Sequence, residues 1–468
     1  MTFPRYPEYK GSGVGWLGEV PAHWEVKPLK HVATYNDDVL PESTPDNFEI
    51  KYVEISDVDE HRGVVGWSVH TFASAPSRAR RVLRPGDVLI STVRTYLRAI
   101  APVIQPPANL IGSTGFAVIR PVSTEFRSGL LGYALRAECF ISEVISRSVG
   151  VSYPAINASD LVSIQVPVPP LAEQLEITSF LGHQTAKIDK LIEEQRRLIE
   201  LLKEKRQAVI SHAVTKGLDP NVPMKDSGVE WLGEVPVHWQ VGPLKRVWDV
   251  KDCKHVTAEF VEHGYPLASI REVQARCVDL RGAKQTTEEY YRQLVGEGRK
   301  PEAGDLIVSR NATVGEISEV ADWHPLFSMG QDVCLLKRRF NGSAPGFLYY
   351  LFKSEAIGEQ INSLLVGATF KRINVEEIRA LNISFPPEGE QWRISRFLDR
   401  EDDRFGRLIG EAERAIELLR ERRSALISAG VTGKIDVRGW SAGAEAEAPE
   451  LAMVAEESSG YSAQGGAA

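Results

Sequence analysis

The sequence predicts an α+β protein written twice. A mixed α/β module is followed by a long helix, and both recur as a pseudo-twofold internal repeat. Three observations predict this. The segment SGVGWLGEVPAHW at 12–24 returns as SGVEWLGEVPVHW at 227–239. The first part of each half holds short apolar runs bounded by Gly and Pro, as strands are. The second part of each half has helical apolar spacing with few breaks. A chain of 468 residues exceeds one ordinary domain, and a repeat on this scale governs the fold before any local feature does.

Taken in order, the opening segment repeats with a shift of 215 residues, and RPGDVLIS at 84–91 returns as EAGDLIVS at 302–309, a shift of 218. From Tyr133 onward the shift settles at 217, pairing Val149-Gly150 with Val366-Gly367 and Ile156-Asn157 with Ile373-Asn374. The register wanders across 25–130 and then locks. Each half therefore joins a module free to differ to a module held in common. DVLIST (87–92), GFAVIR (115–120) and SIQVPV (163–168) read as strands, mirrored by GDLIVS, DVCLLK and LNISFP. Residues 127–147 and 345–365 have helical spacing.

Pro169-Pro170 and Pro386-Pro387 end the last strand of each half and set the start of the long helix, since proline is tolerated in a first turn. In the first helix Leu181, Ile188, Leu202 and Val209 share one heptad position and Leu191 and Leu198 another. Ile192 and Ile199 widen the stripe, and Gln195 interrupts it. The second helix repeats the pattern with Leu398, Phe405, Leu408, Leu419 and Leu426. Neither helix can bury its apolar side alone, so the two are expected to pack on each other. Residues 440–468, rich in Ala, Ser, Gly and Glu, have little to bury and read as a disordered tail.

Composition narrows the function class. Apolar residues make up 43% and charged residues 25%, as in soluble globular proteins. No run approaches the roughly 18 apolar residues of a membrane helix, and the polar, proline-broken N-terminus carries no leader, so a cytoplasmic protein without membrane contact is expected. Cys139, Cys253, Cys277 and Cys334 have no metal-ligand spacing and read as buried thiols, with no metal expected. The net charge of −8 does not exclude nucleic acid: residues 441–468 carry five Glu and no Lys or Arg, and without those acids the charge is −3. Binding to phosphates depends on local basic clusters. An aminomethyltransferase Asn/Asp-Pro-Pro-Tyr/Phe tetrapeptide and a Walker-type phosphate loop are both missing, which argues against an enzyme. Pro45-Asp46 with Glu49 and Lys51 superficially matches a nuclease pattern. Its carboxylates are too close in sequence for the usual two-strand arrangement, and the second half has no copy.

Three motifs occur twice in the same order: Gly-x-x-Trp-Leu-Gly-Glu-x-Pro-x-His-Trp at 13–24 and 228–239, Gly-Asp before an apolar strand at 86–87 and 304–305, and Pro-Pro-x-x-Glu-Gln at 169–174 and 386–391. On these the chain resembles the specificity subunits of type I restriction–modification systems over about residues 1–435. The resemblance implies two target recognition domains, at 1–169 and 217–386, each reading one half of a split site on double-stranded DNA. It implies conserved spacer helices at 170–216 and 387–435 that pair as an antiparallel coiled coil and dock two copies of a methyltransferase subunit. Residues 436–468 are left as the disordered acidic tail. It also implies a restriction–translocase subunit as partner and no catalytic residue in this chain. S-adenosylmethionine, ATP and Mg belong to the partner subunits. A related system with a fused methyltransferase–nuclease partner and a protein-only helical adaptor are the alternatives. A pseudo-twofold protein suits a two-part site, and unlike modules suit unlike half-sites.

Candidate DNA contacts fall on two pairs of segments. In the first half, Arg78, Arg80, Arg81, Arg84, Arg94 and Arg98 crowd one stretch with Ser91 and Tyr96; its counterpart holds Arg310, Asn311 and Thr313. Arginine suits guanine or phosphate and asparagine suits adenine, although a solvated face or an ordinary turn has the same composition. The second pair is 149–153, with Tyr153, and 366–372, with Thr369, Lys371 and Arg372. Trp16, Trp24, Trp231 and Trp239 recur identically in halves that should read different bases, so they are expected to pack the domain walls.

Overall fold

The computed structural model describes residues 3–60, 62–339, 343–365 and 372–441. The chain divides into two compact units, Met1–Glu194 with Ala415–Ala468, and Gln195–Arg414. Both boundaries fall inside a long helix, Leu171–Lys216 and Glu388–Val431. Each unit therefore holds one mixed module, the start of the helix that leaves it and the end of the other helix.

In the first unit, strands Ile100–Pro102, Val88–Ser91, Phe116–Pro121 and Ala33–Tyr35 form an antiparallel sheet in that order. A second sheet runs Ser68–Thr71, Glu49–Val53, Leu110–Ser113, Ala79–Val82, and its central pair is parallel. The second unit repeats both. Ile317–Glu319, Leu306–Ser309, Val333–Arg338 and Trp248–Asp252 follow the first order, and Tyr265–Ala268 lies parallel to Ser328–Met329 in the second sheet. The strands Val88–Ser91 and Leu306–Ser309 are buried throughout because both faces are covered, which is why they read as continuous apolar runs rather than alternating ones.

The helical stretches 127–147 and 345–365 are each broken in two, as Ser128–Ala134 with Glu138–Ser146 and Pro345–Phe352 with Glu355–Leu365. The break has a physical cause in both units. The backbone N–H of Glu138 donates to the Ser428 hydroxyl at 3.3 Å, and that of Glu355 to the Ser211 hydroxyl at 3.1 Å. A serine near the end of a long helix thus serves an otherwise unsatisfied donor at the start of the second short helix.

The long helices run antiparallel within each unit. In the first, Gly430 abuts Leu181, where an added Cβ would lie 3.1 Å away, and Arg423 pairs with Asp189 at 2.8 Å. In the second, Arg206 pairs with Asp402 at 2.5 Å. Leu181, Ile188 and Leu398 are buried, while Leu202, Leu419 and Leu426 are half-buried. The second row of the seam differs from the sequence reading. It is Ile192 and Ile199, at 7% and 8% exposure, and not Leu191 and Leu198, at 45% and 42%. Leu408 also faces outward. A step of three or of four from Ile188 both lie on the apolar side of an isolated helix. Only the side from which the partner approaches selects one of them.

Both long helices end on a left-handed glycine, Gly217 and Gly433. After Gly433 the Lys434 N–H returns to the Ala429 carbonyl at 2.9 Å, so the second helix stops at Val431 rather than 435. Residues 436–440, assigned to the start of the tail, pack on the first module instead. The Asp436 N–H donates to the Pro4 carbonyl, Val437 is buried, and Trp440 meets Phe180 edge-on at 5.3 Å. Their few apolar side chains suffice because the module supplies the rest of the core. The remainder of the tail reading, 442–468, lies outside the described residues.

The repeated motifs are latches between module and helix. Glu173 is buried and accepts from the Trp24 indole at 3.1 Å and from the Tyr6 hydroxyl, with His23 at 2.8 Å. His238 and Glu390 repeat the pair at 2.8 Å. Gln174 donates to the Glu125 and Pro169 carbonyls and accepts the Arg127 N–H; Gln391 donates to the Pro386 carbonyl and accepts the Ala344 N–H. Trp24 and Trp239 are wholly buried, as the packing reading expected, whereas Trp16 is half-buried and Trp231 is exposed.

Candidate nucleic-acid interface

In the first unit the loop after strand Val88–Ser91 and the loop 149–153 meet. Val93 bridges to Ala155, the Ile156 N–H donates to the Thr92 carbonyl at 2.9 Å, and the Thr95 and Ser148 hydroxyls bond at 2.8 Å. The Arg94 guanidinium lies over the Tyr153 ring at 4.8 Å, a cation–π pair with both side chains exposed. Arg94 adopts φ of 51°, a left-handed conformation uncommon outside glycine. Val149, Val151 and Tyr96 are exposed around the same loops.

Beside them lies a cleft of 690 Å³ lined by Tyr52, Glu54, Ile55, Arg78, Arg94 and Tyr153 among others. It brings together three of the residues singled out from the sequence. The other arginines are otherwise engaged. Arg98 forms a two-pronged bond with Glu138, 2.7 Å on each arm, and reaches Glu60; these partners hold its pKa above the usual arginine value. Arg84 pairs with Asp38 at 2.5 Å. Arg80 stacks on Phe72 and donates to the Ala79 carbonyl. Arg81 is partly buried, which lowers its pKa. Ser91 is buried, with its hydroxyl on the Val93 carbonyl at 2.6 Å, so it props the loop rather than facing a ligand.

The second unit builds the same place with other side chains. Ser309 is likewise buried and donates to the Asn311 carbonyl at 3.1 Å. Asn311 bridges to Arg372 as Val93 does to Ala155, and Ala312 is left-handed as Arg94 is. Asp332 joins the loops, accepting from the Asn311 amide at 3.3 Å and pairing with Arg372 at 3.3 Å. Thr313 is exposed, within 3.2 Å of the Ser309 hydroxyl. A cleft of 380 Å³ opens here, lined by Phe260, Leu267, Ser269, Ile270, Gln331 and Asp332 among others. The parallel strand pairings Tyr52–Ile111 and Leu267–Ser328 put the two clefts at equivalent positions. Thr369 and Lys371 lie outside the described residues.

Arg310 does not face this cleft as an open contact. It is 3% exposed, pairs with Asp252 at 2.8 Å and donates to the Cys253 Sγ at 3.6 Å. Asp252, Cys253 and His255 hold ligand atoms within 4.8 Å of one another, but the guanidinium already compensates that carboxylate and thiol. Burial raises the Cys253 thiol pKa and pushes that of Cys334 up to about 12. Among the described residues, no helix is long and apolar enough to cross a membrane.

Glu54, Gln331 and Asp332 were not singled out from the sequence. They stand beside the clefts only because a strand from elsewhere in the chain pairs in parallel there, and neither composition nor spacing marks that pairing.

Residues 21–201 and 236–418 match the family described as Type I restriction modification DNA specificity domain. The chain is 24% identical over 441 residues to the putative type I restriction enzyme MjaX specificity subunit of Methanocaldococcus jannaschii, covering 90% of this chain and 96% of that one. Among solved structures it is similar to a chain from a study of complex assembly and conformational transition of the type I R-M system, with TM-score 0.70 and 22% identity over 88% of this chain and 98% of that one. It is also similar to the HsdS subunit from Thermoanaerobacter tengcongensis, with TM-score 0.53, 22% identity and the same coverage. At these identities the structures speak to the fold alone.

Proposed function

Because the chain belongs to the family of type I restriction modification DNA specificity domains, we propose that it is the sequence-specific DNA-binding specificity subunit of a type I restriction–modification complex. It reads a bipartite site, one half-site per unit, and scaffolds the methyltransferase and nuclease–translocase subunits. The observation that carries this reading is the duplicated cleft: one backbone framework, built twice at equivalent positions, with unlike side chains around it. Equal frameworks suit the two halves of one duplex site, and unlike linings suit different bases. The site residues of this reading are Arg78, Arg94, Tyr96 and Tyr153 in the first unit and Asn311, Thr313 and Arg372 in the second. Thr369 and Lys371 keep their place in it by sequence position.

In this reading the chain supplies no catalytic group. Two methyltransferase copies carry S-adenosylmethionine, and the nuclease–translocase carries ATP and Mg. The protein-only adaptor is disfavoured by the clefts, since a helical scaffold has no use for them. The test is to purify the chain with and without its methyltransferase and follow transfer of labelled methyl groups to DNA. Transfer is expected only from the complex, at adenines flanking a split site, with salt-sensitive binding. Methyl transfer by the partner-free chain, or a complex indifferent to DNA sequence, would overturn the proposal.

A further inference from the structure

The geometry points to a specific base readout in the first unit: Arg78 and Arg94, with Glu54, recognise the major-groove edge of a G·C pair. This rests on the DNA-reading function proposed above. Of the six arginines crowded at 78–98, four have their guanidinium groups committed to carboxylates, a carbonyl and an aromatic ring, or a partly buried site. Arg78 and Arg94 are exposed, and among the described residues neither forms an ion pair; both line the same cleft. Each is held in place by the backbone. The Arg78 carbonyl accepts the Thr114 N–H at 2.8 Å, and Arg94 sits between two interlocked loops with its guanidinium carbon 4.8 Å from the centre of the Tyr153 ring. A guanidinium already held over a ring loses less freedom on binding than a mobile lysine would.

The choice between base and phosphate turns on Glu54. A carboxylate in the cleft repels a phosphate but accepts from the cytosine N4 amino group, while guanine offers O6 and N7 to an arginine fork. Two guanidinium groups and one carboxylate complement the acceptors and the donor of a G·C edge. The Glu54 carboxylate already takes the Ser56 hydroxyl at 2.7 Å and the Asp57 N–H of its capping box, which still leaves lone pairs for a further donor. The equivalent positions in the second unit confirm that the framework does not require this chemistry. Ser269 stands for Glu54 on the cleft wall and Ala312 for Arg94 in the neighbouring loop, while Arg372 is held beside the cleft by Asp332. With neither Glu54 nor Arg94 repeated, the second unit does not present the same set of groups at the corresponding step.

The test uses the whole chain in complex with its methyltransferase. Methylated sites are mapped by sequencing for the wild type, Arg94→Ala and Arg78→Ala, and binding is measured against salt on sites varied at each position. Both variants are expected to relax one G·C pair in one half-site, losing roughly 5- to 150-fold in discrimination there, with the other half-site unchanged. Equal weakening on every sequence together with a salt slope reduced by about one would show a phosphate contact and overturn the inference. So would unchanged selectivity, or relaxation in the other half-site. A wild-type complex without any two-part site would instead overturn the function itself, which is a distinct result.

Discussion

Arg94 and Arg98 stand four residues apart, both with left-handed backbones, and the structure gives them opposite roles. Arg98 ties the loop to Glu138 and Glu60, whereas Arg94 is left open to solvent over Tyr153. Arg310 and Arg372 each pair with a carboxylate, Asp252 and Asp332, but Arg310 is buried and Arg372 is exposed. Arg310 is walled in by Asp252 and Cys253, so its replacement acts on stability before it acts on DNA. Arg310→Ala strands the Asp252 carboxylate and should cost roughly 2–4 kcal/mol, below the full penalty for a buried pair because Asp252 keeps 36% of its side-chain surface exposed. Hydrogen exchange should show loss of protection in strand Leu306–Ser309 with strand Val88–Ser91 unaffected. Weakened DNA binding with unchanged protection would show that Arg310 is a contact after all.

At the scale of elements, the long helices show how a repeat can mark a stripe without marking its edge. Each is apolar over more than one heptad row, and the antiparallel partner chooses Ile192 and Ile199 while leaving Leu191 and Leu198 outside. Ile192→Asp should then destabilise the first unit by at least ~3 kcal/mol, from lost burial plus a charge in the seam. Leu191→Asp should stay within about 0.5 kcal/mol of the wild type. Urea denaturation of the two variants side by side decides it, and equal effects would return the seam to the leucine row. Leu191→Asp also leaves the pairing intact while altering an exposed apolar position, so its effect on methyltransferase co-purification reports on docking separately from folding.

At the scale of the whole molecule, the first unit is discontinuous: residues 415–440 complete a module that begins at the other end of the chain. The Tyr9 hydroxyl donates to the Gly433 carbonyl at 3.0 Å, and Arg438 lies over Tyr6. A chain ending at Val431 should lose roughly 2–4 kcal/mol in the first unit through the buried Val437 side chain and the helix C-cap. One ending at Ser441 keeps every described contact and should match the full chain. Limited proteolysis read by mass spectrometry is expected to cut the Val431 variant first within 3–168. First cutting within 224–385 would contradict the packing described for residues 432–440. A recognition-domain exchange follows the same logic: replacing 1–168 succeeds only where the newcomer accepts Ser428, Gly433 and Val437.

By itself the sequence determined the duplication, the strands around each Gly-Asp, the start of each long helix at Pro-Pro, and the family. All of these are local or periodic, written in residues that are neighbours along the chain or one repeat apart. It also marked the two loop pairs of the candidate site, because glycine, arginine and hydroxyl residues cluster there. Only the tertiary structure decided which arginines are spent on carboxylates, which heptad row is buried, that Glu54 and Asp332 border the clefts, and that residues 432–440 complete the first module. Each of those depends on a partner far away in sequence: Glu138 for Arg98, the second helix for Ile192, a parallel strand for Glu54, Pro4 for Asp436. A side chain's availability is fixed by what else lies within a few ångströms of it, and composition and spacing along one strand of chain carry no record of that.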